Sequence, residues 1–520
     1  MPAMDSLEQL ATVVAERWVV ISTAILVLAV SLWAPSLVNQ FRTWQIPMIG
    51  EELGTVEKRR QAYLGGARKL YNEGYRKFRN GVFRITTSRK SPILVLSPDF
   101  LPELKKLPDN VVSMEAAVDE TMETKYTQIE TNVPIIPHTI KASLTPSLPK
   151  LNETISAEVK EALGMELKVG SSWTEVDIHH VLLRVVAMVS GRVFIGPELC
   201  RTEQYLDAAI NYTMEVMTAQ RAVQHLKPWQ RPLLASRMAP VRKLRQRIRE
   251  ANDFLQPVVD GRRRTAAAGS PAYEKPDDML QWMIDGQEQF TDRNSRDLAK
   301  VQMGLSFAAI HTTTLTATNA FYDMAALPDF ITELREEIKE ALAENGGVFS
   351  SNALQSMKKL DSFLKETLRL YPATMASFQR KVLRPFTLSN GQVIPSGTMI
   401  EVPAVAVNSD PEVFPGPLEF DPLRFYRLRQ SARAQGSVEG AALNQFVSVS
   451  QNSLTFGYGR HACPGRFFAA NEIKMILANV LLEYDVRMPE GTTGRYPNIE
   501  FAHMSIPDSS KKLLFRKMST

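Results

Sequence analysis

Apolar positions recur at helical spacing through most of the chain. The segment 329–347, DFITELREEIKEALAENGG, carries them three and four residues apart and ends at two glycines, which predicts an amphipathic helix with a defined stop. The segment 242–264 interleaves basic and apolar residues, which predicts a helix with one solvated face. The segment 295–327 is apolar nearly all round in its second half, so we expect a long helix that crosses the middle of a large domain.

Short β patterns separate these helical segments. They occur in residues 80–88, 91–97 and 386–402, and again near the C-terminus. After Pro47 the chain contains no repeat, no low-complexity stretch and no obvious second linker. The pattern therefore predicts one mainly α domain with small β-sheets, which extends from residue 46 to residue 520.

A separate apolar segment precedes this domain. Trp18–Ala34 contains no charged residue, and the uncharged run reaches from Arg17 to Arg42. A membrane-spanning helix needs about 20 apolar residues, so we expect one at about residues 18–38, within an anchor formed by residues 1–45. Basic residues cluster after the run, which predicts a single-pass protein of the endoplasmic reticulum membrane whose body faces the cytosol. A cleaved signal peptide is the alternative, but the acidic flank and the length of the run disfavour it.

Charge and cysteine content narrow the function classes. A net charge of +5 over 520 residues is small, which argues against bulk binding of nucleic acid. Cys200 and Cys463 are the only cysteines, so at most one disulfide is possible and a reducing compartment is favoured. No pattern surrounds Cys200, which we interpret as an inert packed thiol.

Cys463 lies in the distinctive segment TFGYGRHACPGRFFAANE. Glycines flank it, and Pro464 follows at the predicted start of a helix, so we expect Cys463 at the N-cap position. A helix N-terminus lowers the pKa of a cysteine, and the thiolate is the form that binds metal. The glycines would let the backbone approach a flat cofactor closely. The alternative is a buried cysteine that merely begins a helix.

The same segment resembles the haem-binding loop of cytochromes P450, whose pattern is F-x-x-G-x-R-x-C-x-G. Phe456, Gly459, Cys463 and Gly465 match it position by position. The resemblance implies a haem b cofactor whose iron takes its axial thiolate from Cys463. His461 occupies the usual arginine position, so its pairing with a haem propionate would depend on its protonation.

Two further motifs support this resemblance. KETLRL supplies Glu366 and Arg369, and FDPLRF supplies Arg424; in the P450 family such residues form a buried ionic network that supports the haem loop. Arg380 resembles the family's propionate-binding arginine, and Lys141 is a second candidate for that contact.

The long predicted helix contains AAIHTT, which resembles the family's oxygen-binding pattern A/G-G-x-D/E-T-T/S. Thr312 falls on the position that stabilises iron-bound oxygen and relays protons. His311 takes the acidic position, where it either relays protons or is a satisfied core residue. Ala309, Thr313 and part of 373–378 are implied substrate contacts.

The resemblance extends from about residue 50 to the end and implies the cytochrome P450 fold and a monooxygenase. O2 would be the cosubstrate, and electrons would come from NADPH-cytochrome P450 reductase, with cytochrome b5 as a second donor. Arg460 and Arg466 are expected to help dock the reductase. Motif variants resemble the fungal ent-kaurene oxidase-like branch, which implies a lipophilic terpenoid or indole diterpene substrate. Two alternatives stay open: a reductase-independent haem-thiolate isomerase, dehydratase or peroxygenase, and a non-enzymatic membrane haem protein.

Overall fold

The computed structural model describes residues 2–268 and 274–518, with side chains described from residue 17 onward except at 29, 32 and 35. Helices dominate these residues, as the sequence predicts. They are α1 Pro2–Gln45, α2 Val56–Lys77, α3 Leu101–Leu104, α4 Met114–Met122, α5 Thr124–Thr127, α6 Ile135–Thr139, α7 Thr145–Glu166, α8 Ile178–Phe194, α9 Glu203–Gln224, α10 Arg231–Leu234, α11 Ala239–Ala267, α12 Met279–Gly286, α13 Arg293–Arg296, α14 Leu298–Ala325, α15 Pro328–Ala343, α16 Ser351–Ser356, α17 Lys358–Leu370, α18 Ala404–Asn408, α19 Arg424–Ala434, α20 Val438–Leu443 and α21 Arg466–Glu483.

Small sheets fill the remaining space, and the predicted β segments all contain strands. The strands are β1 Val82–Ile85, β2 Ile93–Leu96, β3 Val112–Ser113, β4 Thr174–Val176, β5 Ser377–Val382, β6 Phe386–Thr387, β7 Val393–Ile394, β8 Met399–Val402, β9 Tyr484–Arg487, β10 Asn498–Phe501, β11 Met504–Pro507 and β12 Leu513–Lys517. The largest sheet has the order β1-β2-β8-β5-β3, in which β2 and β8 are parallel and the other pairs are antiparallel. A second sheet has the order β4-β12-β9, and β6–β7 and β10–β11 pair as antiparallel two-stranded sheets.

Helix α14 is the long buried helix that the sequence predicts at residues 295–327. The Asp297 carboxylate accepts the backbone N–H of Lys300 at 3.3 Å and so caps its start, and Pro328 follows its end. It packs against α8, α9, α11, α15, α17 and α21. The predicted helices at 242–264 and 329–347 are also confirmed, as α11 and α15.

Two hydrophobic cores lie on either side of the cysteine segment. The larger core joins α7, α8, α9, α14, α17 and α21, and it includes Phe446 and Phe468. A smaller core lies under the five-stranded sheet and includes Leu454. The chain from Phe446 to Phe468 therefore passes from the helical core to the sheet core and back, with Cys463 between them.

The N-terminal segment forms the helix α1, Pro2–Gln45. In the part of the chain that the structure describes, no helix is long and apolar enough to cross a membrane, so a membrane-spanning helix at about residues 18–38 is not supported. The last turns of α1 contact the body, where the Asn39 amide donates to the Ser396 hydroxyl at 2.7 Å.

Candidate active site

Cys463 lies in a tight loop immediately before α21. Its backbone N–H donates to the carbonyl of Phe456 at 2.8 Å, which closes the loop on itself. Gly457 and Gly459 have φ angles of 79° and 72°, a left-handed conformation that glycine adopts without strain. The described geometry therefore holds the cysteine in a defined backbone position.

The start of α21 differs from the prediction. The helix begins at Arg466 with Gly465 as its N-cap, so Cys463 precedes the cap because Pro464 and Gly465 form a turn. Burial raises the pKa of the Cys463 thiol, whereas the backbone N–H groups of Gly465 and Arg466 and the Arg466 charge lower it. Burial is the largest of these effects and leaves the pKa of the thiol raised, whereas the two N–H groups and the Arg466 charge favour the thiolate, the form that ligates metal.

Arg460 and Arg466 are engaged within the chain. Arg466 Nη1 donates to the carbonyl of Cys463 at 2.8 Å, and its Nε donates to the carbonyl of Val447 at 3.1 Å. Arg460 Nη2 donates to the Asp109 carboxylate at 2.6 Å. Both guanidinium groups therefore stabilise the cysteine loop, and their predicted part in docking a reductase stays a prediction.

The three residues of the predicted ionic network come together. Arg369 Nε and Nη2 donate to the two oxygens of Glu366 at 2.8 and 2.7 Å, and Arg424 Nε donates to the same carboxylate at 3.1 Å. Glu366 is fully buried. The remaining N–H groups of both arginines donate to backbone carbonyls of residues 408–419, so the buried charges are paired and hydrogen-bonded.

Lys365, which was not among the predicted site residues, links residues 443–453 to α17. Its Nζ donates to the carbonyls of Leu443, Gln445 and Ser448 at 3.3, 2.7 and 3.4 Å, and to the Ser453 hydroxyl at 3.2 Å. Burial lowers the pKa of Lys365 to about 8. Lys365 directly precedes Glu366 in KETLRL, so it could have been identified as a site residue from that motif.

Arg380 is a buried cation without a carboxylate partner among the described residues. It lies on β5 and is 6% exposed, and its Nη1 donates to the carbonyl of the adjacent Gln379 at 2.8 Å. Burial lowers its pKa to about 10, and the charge of Asp109 opposes this shift. A buried guanidinium with so few acceptors favours an anionic ligand.

His461 lies beside Asp109 and Arg460. Its Nε2 is 3.2 Å from Asp109 Oδ1 and 3.1 Å from Arg460 Nε. Burial and the nearby Arg380 charge lower the pKa of His461, and hydrogen bonding to Asp109 raises it. The imidazole is therefore less often charged near neutral pH than an ordinary histidine, which weakens it as a partner for a carboxylate.

Thr312 is exposed on a helix whose other side chains are mostly buried. Its hydroxyl donates to the carbonyls of Ala308 at 2.8 Å and Ala309 at 3.2 Å. Ala308, one turn earlier, is exposed on the same face. Small side chains and one hydroxyl thus form an accessible strip on α14.

His311 has a different partner from Thr312. Its Nε2 lies 2.9 Å from the carbonyl of Ile210 on α9, so the ring donates there. Burial lowers the pKa of His311. This geometry gives the imidazole a structural role between α9 and α14, and its proposed proton relay stays a prediction.

Lys141 and Cys200 lie apart from this group. Lys141 is exposed in the segment Ile140–Leu144, and no hydrogen bond or ion pair joins its side chain to the residues that the structure describes. Cys200 is buried, and burial raises the pKa of its thiol to about 11, as expected for a packed cysteine. Cys463 is therefore the cysteine suited to ligation.

A cavity of about 250 Å³ opens along the first half of α14. Its wall includes Gly304, Phe307 and Ala308 from α14, Tyr212 from α9, and residues of the segment 128–133. The predicted substrate contacts Ala309, Thr313 and 373–378 are absent from this wall. No local sequence pattern marks the segment 128–133 as part of the wall, because its approach to α14 depends on contacts distant in sequence.

Comparison with known proteins identifies the family. The cytochrome P450 family model matches residues 138–515. The chain belongs to the cytochrome P450 family. Similar relatives are the cytochrome P450 monooxygenases ATR3 of Stachybotrys chlorohalonatus, with 42% identity over 82% of this chain and 89% of the relative, and AN1598 of Emericella nidulans, with 36% identity over 87% and 83%. The monooxygenase braC of Annulohypoxylon truncatum is 34% identical over 96% of this chain and 97% of its own.

These relatives make the chain an oxidoreductase of the P450 monooxygenase type, and the family uses a haem-thiolate iron cofactor with O2 as cosubstrate. The described residues fit such a group. A loop cysteine receives backbone N–H groups, and a buried arginine lacks an anionic partner. Family members also take electrons from a redox partner and act on a small molecule.

Proposed function

We propose that this P450 monooxygenase oxidises unactivated C–H bonds of a lipophilic terpenoid or indole diterpene, and that the thiolate of Cys463 would hold the haem iron. The observation that carries the ligand assignment is the closed loop around Cys463, whose thiol receives backbone N–H groups, while Cys200 is a packed thiol. The motif variants of the sequence and the mainly apolar cavity beside α14 support the substrate class.

Each site residue then has a defined task. The haem supplies the activation of O2 and the insertion of one oxygen atom into a C–H bond. Arg380 would hold a propionate carboxylate, and His461 would be a weaker second contact. Phe456, Gly459 and Gly465 would shape the loop. Thr312 would hold a proton at its Oγ1 on the accessible strip of α14. Glu366, Arg369 and Arg424 position the loop from behind.

We propose NADPH-cytochrome P450 reductase as the electron donor, with cytochrome b5 as a second donor. The sequence after residue 50 contains no flavin- or nucleotide-binding stretch, which supports a separate donor.

A reductase-independent haem-thiolate isomerase, dehydratase or peroxygenase is the second candidate. One observation favours it: the position that usually carries an acid is His311, and its Nε2 is held by the Ile210 carbonyl. The two candidates differ in cofactor demand. Turnover that needs both NADPH and reductase supports the monooxygenase, whereas full turnover with neither supports the second class.

The test is expression of the chain with a reductase, incubation with a terpenoid panel under ¹⁸O2, and product analysis by mass spectrometry. We expect at least one product that carries one ¹⁸O atom per oxidised carbon. The matched control is Cys463→Ser, which should lose the thiolate-type carbon monoxide spectrum and all such products; Cys200→Ser should retain both. A retained spectrum in Cys463→Ser would place the iron ligand elsewhere, and unlabelled products throughout would contradict the terpenoid assignment.

A further inference from the structure

The wall of the cavity beside α14 includes a buried polar atom that has no partner among the described residues. Glu130 lies on the wall, and its Oε1 is 3.4 Å from the Nζ of Lys300. Its second oxygen, Oε2, is buried and makes no hydrogen bond among the described residues. A buried carboxylate oxygen without a donor costs free energy, so its presence at a cavity wall points to a donor that arrives with a ligand.

The surroundings of Glu130 are arranged to keep this acceptor in place. Lys300 pairs with Glu130 and also lies 3.5 Å from Asp297, whose carboxylate caps α14. Burial raises the pKa of Glu130, and the Lys300 charge lowers it. Burial is the larger effect and the Asp297 charge adds to it, so the pKa of Glu130 is raised overall, and Lys300 partly offsets this shift.

The same cavity wall also includes aromatic and apolar side chains. Tyr212 stacks edge-on against Phe307 with ring centroids 6.2 Å apart. Burial and the Glu130 charge raise the pKa of Tyr212, so its hydroxyl stays protonated. The rest of the wall is mainly apolar and includes Met114, Val118, Ile129, Val133, Ile136 and Met303.

The cavity has a direction along α14. Lys300 lines one end, and Ala308 lines the end next to Thr312. At 1.5 Å per helical residue, Lys300 is about 12 Å from Ala308 and about 18 Å from Thr312 along the axis. A molecule with a polar group beside Glu130 would therefore be elongated if its far end reached Thr312.

We propose that Glu130 is a specificity-determining residue that accepts a hydrogen bond from a hydroxyl group at the end of an elongated, polycyclic substrate remote from the oxidised carbon. This inference rests on the proposed function and refines its substrate class from lipophilic terpenoids to terpenoid alcohols. A hydrogen bond to a charged acceptor discriminates well because an analogue without the donor leaves the carboxylate unpaired.

The test uses the haem-loaded protein and two matched pairs of probes: abietol with abietadiene, and androstanol with androstane. Absorbance titration measures the dissociation constant of each. We expect the wild type to bind the alcohol of at least one pair about tenfold more tightly than the hydrocarbon. Glu130→Leu should abolish this preference, Glu130→Gln should reduce it because a neutral amide accepts more weakly, and the exposed control Glu288→Gln should keep it.

Three results would overturn the proposal: no preference for either alcohol in the wild type, a preference that survives in Glu130→Leu, or an equal loss of affinity for alcohol and hydrocarbon. The last result would assign Glu130 a purely structural role between the segment 128–133 and α14. Failure of the proposed function is distinguishable, because a Glu130-dependent preference without oxygen incorporation supports the anchor and contradicts the monooxygenase substrate assignment.

Discussion

The hydroxyl of Thr312 and the imidazole of His311 differ in how many hydrogen bonds they can still form. Its hydroxyl is exposed on α14 and already donates to the carbonyl of Ala308 at 2.8 Å, so its oxygen can accept a hydrogen bond from a second group. The neighbouring His311 lacks this freedom because its ring is held by the carbonyl of Ile210. We therefore expect proton delivery in this chain to depend more on Thr312 than on His311.

We expect Thr312→Ala to retain the thiolate-type carbon monoxide spectrum but to divert electrons from product to peroxide. Removal of the hydroxyl should lower the rate of product formation by about tenfold or more, since positioned proton-transfer groups contribute at least that much. The measurement is product and hydrogen peroxide formed per NADPH consumed. Thr316→Ala is the control, because Thr316 makes the same kind of bond, to the Thr312 carbonyl at 2.9 Å, one turn later. Unchanged coupling in Thr312→Ala would contradict the assignment.

At the scale of elements, α17 joins two kinds of ion pair with different expected energies. Near its start, Lys359 pairs with Glu333 of α15 at 2.7 Å, and both side chains are partly exposed. Near its end, Glu366 pairs with Arg369 and Arg424 in full burial. Water screens the first pair, whereas the second has no solvent to replace a missing partner.

Glu366→Gln should therefore lower the free energy of unfolding by about 3–5 kcal/mol, because it leaves two buried guanidinium groups without a counter-charge. Glu333→Gln, the matched control, should cost less than about 1 kcal/mol. Urea denaturation followed by circular dichroism and by haem absorbance measures both. Equal losses in the two variants would show that the buried network contributes no more than a surface pair.

Element positions were largely predictable, whereas the cavity was not. Helices α14 and α15 and the strands at 80–97 follow from local periodicity, which a sequence displays directly. The site residues Glu366, Arg369 and Arg424 were predictable because their motifs are short and ordered. The contacts Glu130–Lys300 and Ile210–His311 join residues 170 and 101 positions apart, and no local pattern encodes them.

The same limit explains the remaining differences. Cys463 was expected at the N-cap of α21, but the turn at Pro464 and Gly465 delays the helix to Arg466. Lys141 was a candidate for the propionate contact because of its position in the chain, yet no described contact links it to Arg380 or His461. Each case depended on a quantity that residue type alone does not fix.

At the scale of the whole molecule, one buried acid links the global stability to pH. Glu472 of α21 is fully buried, and its Oε1 accepts the Ser190 hydroxyl of α8 at 3.0 Å. Its Oε2 has no partner among the described residues, and burial raises the pKa of Glu472 to about 8. The folded protein therefore binds this proton more tightly than the unfolded chain does.

Because the folded pKa is the higher one, this contribution to stability is fully present below about pH 4.5 and is lost as the pH rises to about 8. The slope between these values is about 1.4 kcal/mol per pH unit. Glu472→Gln should remove it, so the fall in melting temperature between pH 6 and about pH 8 should be smaller than in the wild type. Glu483→Gln on the same helix should behave like the wild type. Parallel curves for wild type and Glu472→Gln would contradict the prediction.

Contacts with helix α17 determine which part of the chain before the cysteine loop can vary in length. Glu366 and Arg369 anchor the incoming chain at residues 408–424, and Lys365 anchors the outgoing chain at residues 443–453. Between these two anchors lie α19, which packs against α17 through the buried pair Arg429–Asp361, and α20; residues 430–440 are exposed or partly exposed. Insertions and deletions within this exposed stretch can therefore accumulate during evolution without displacing the Cys463 sulfur.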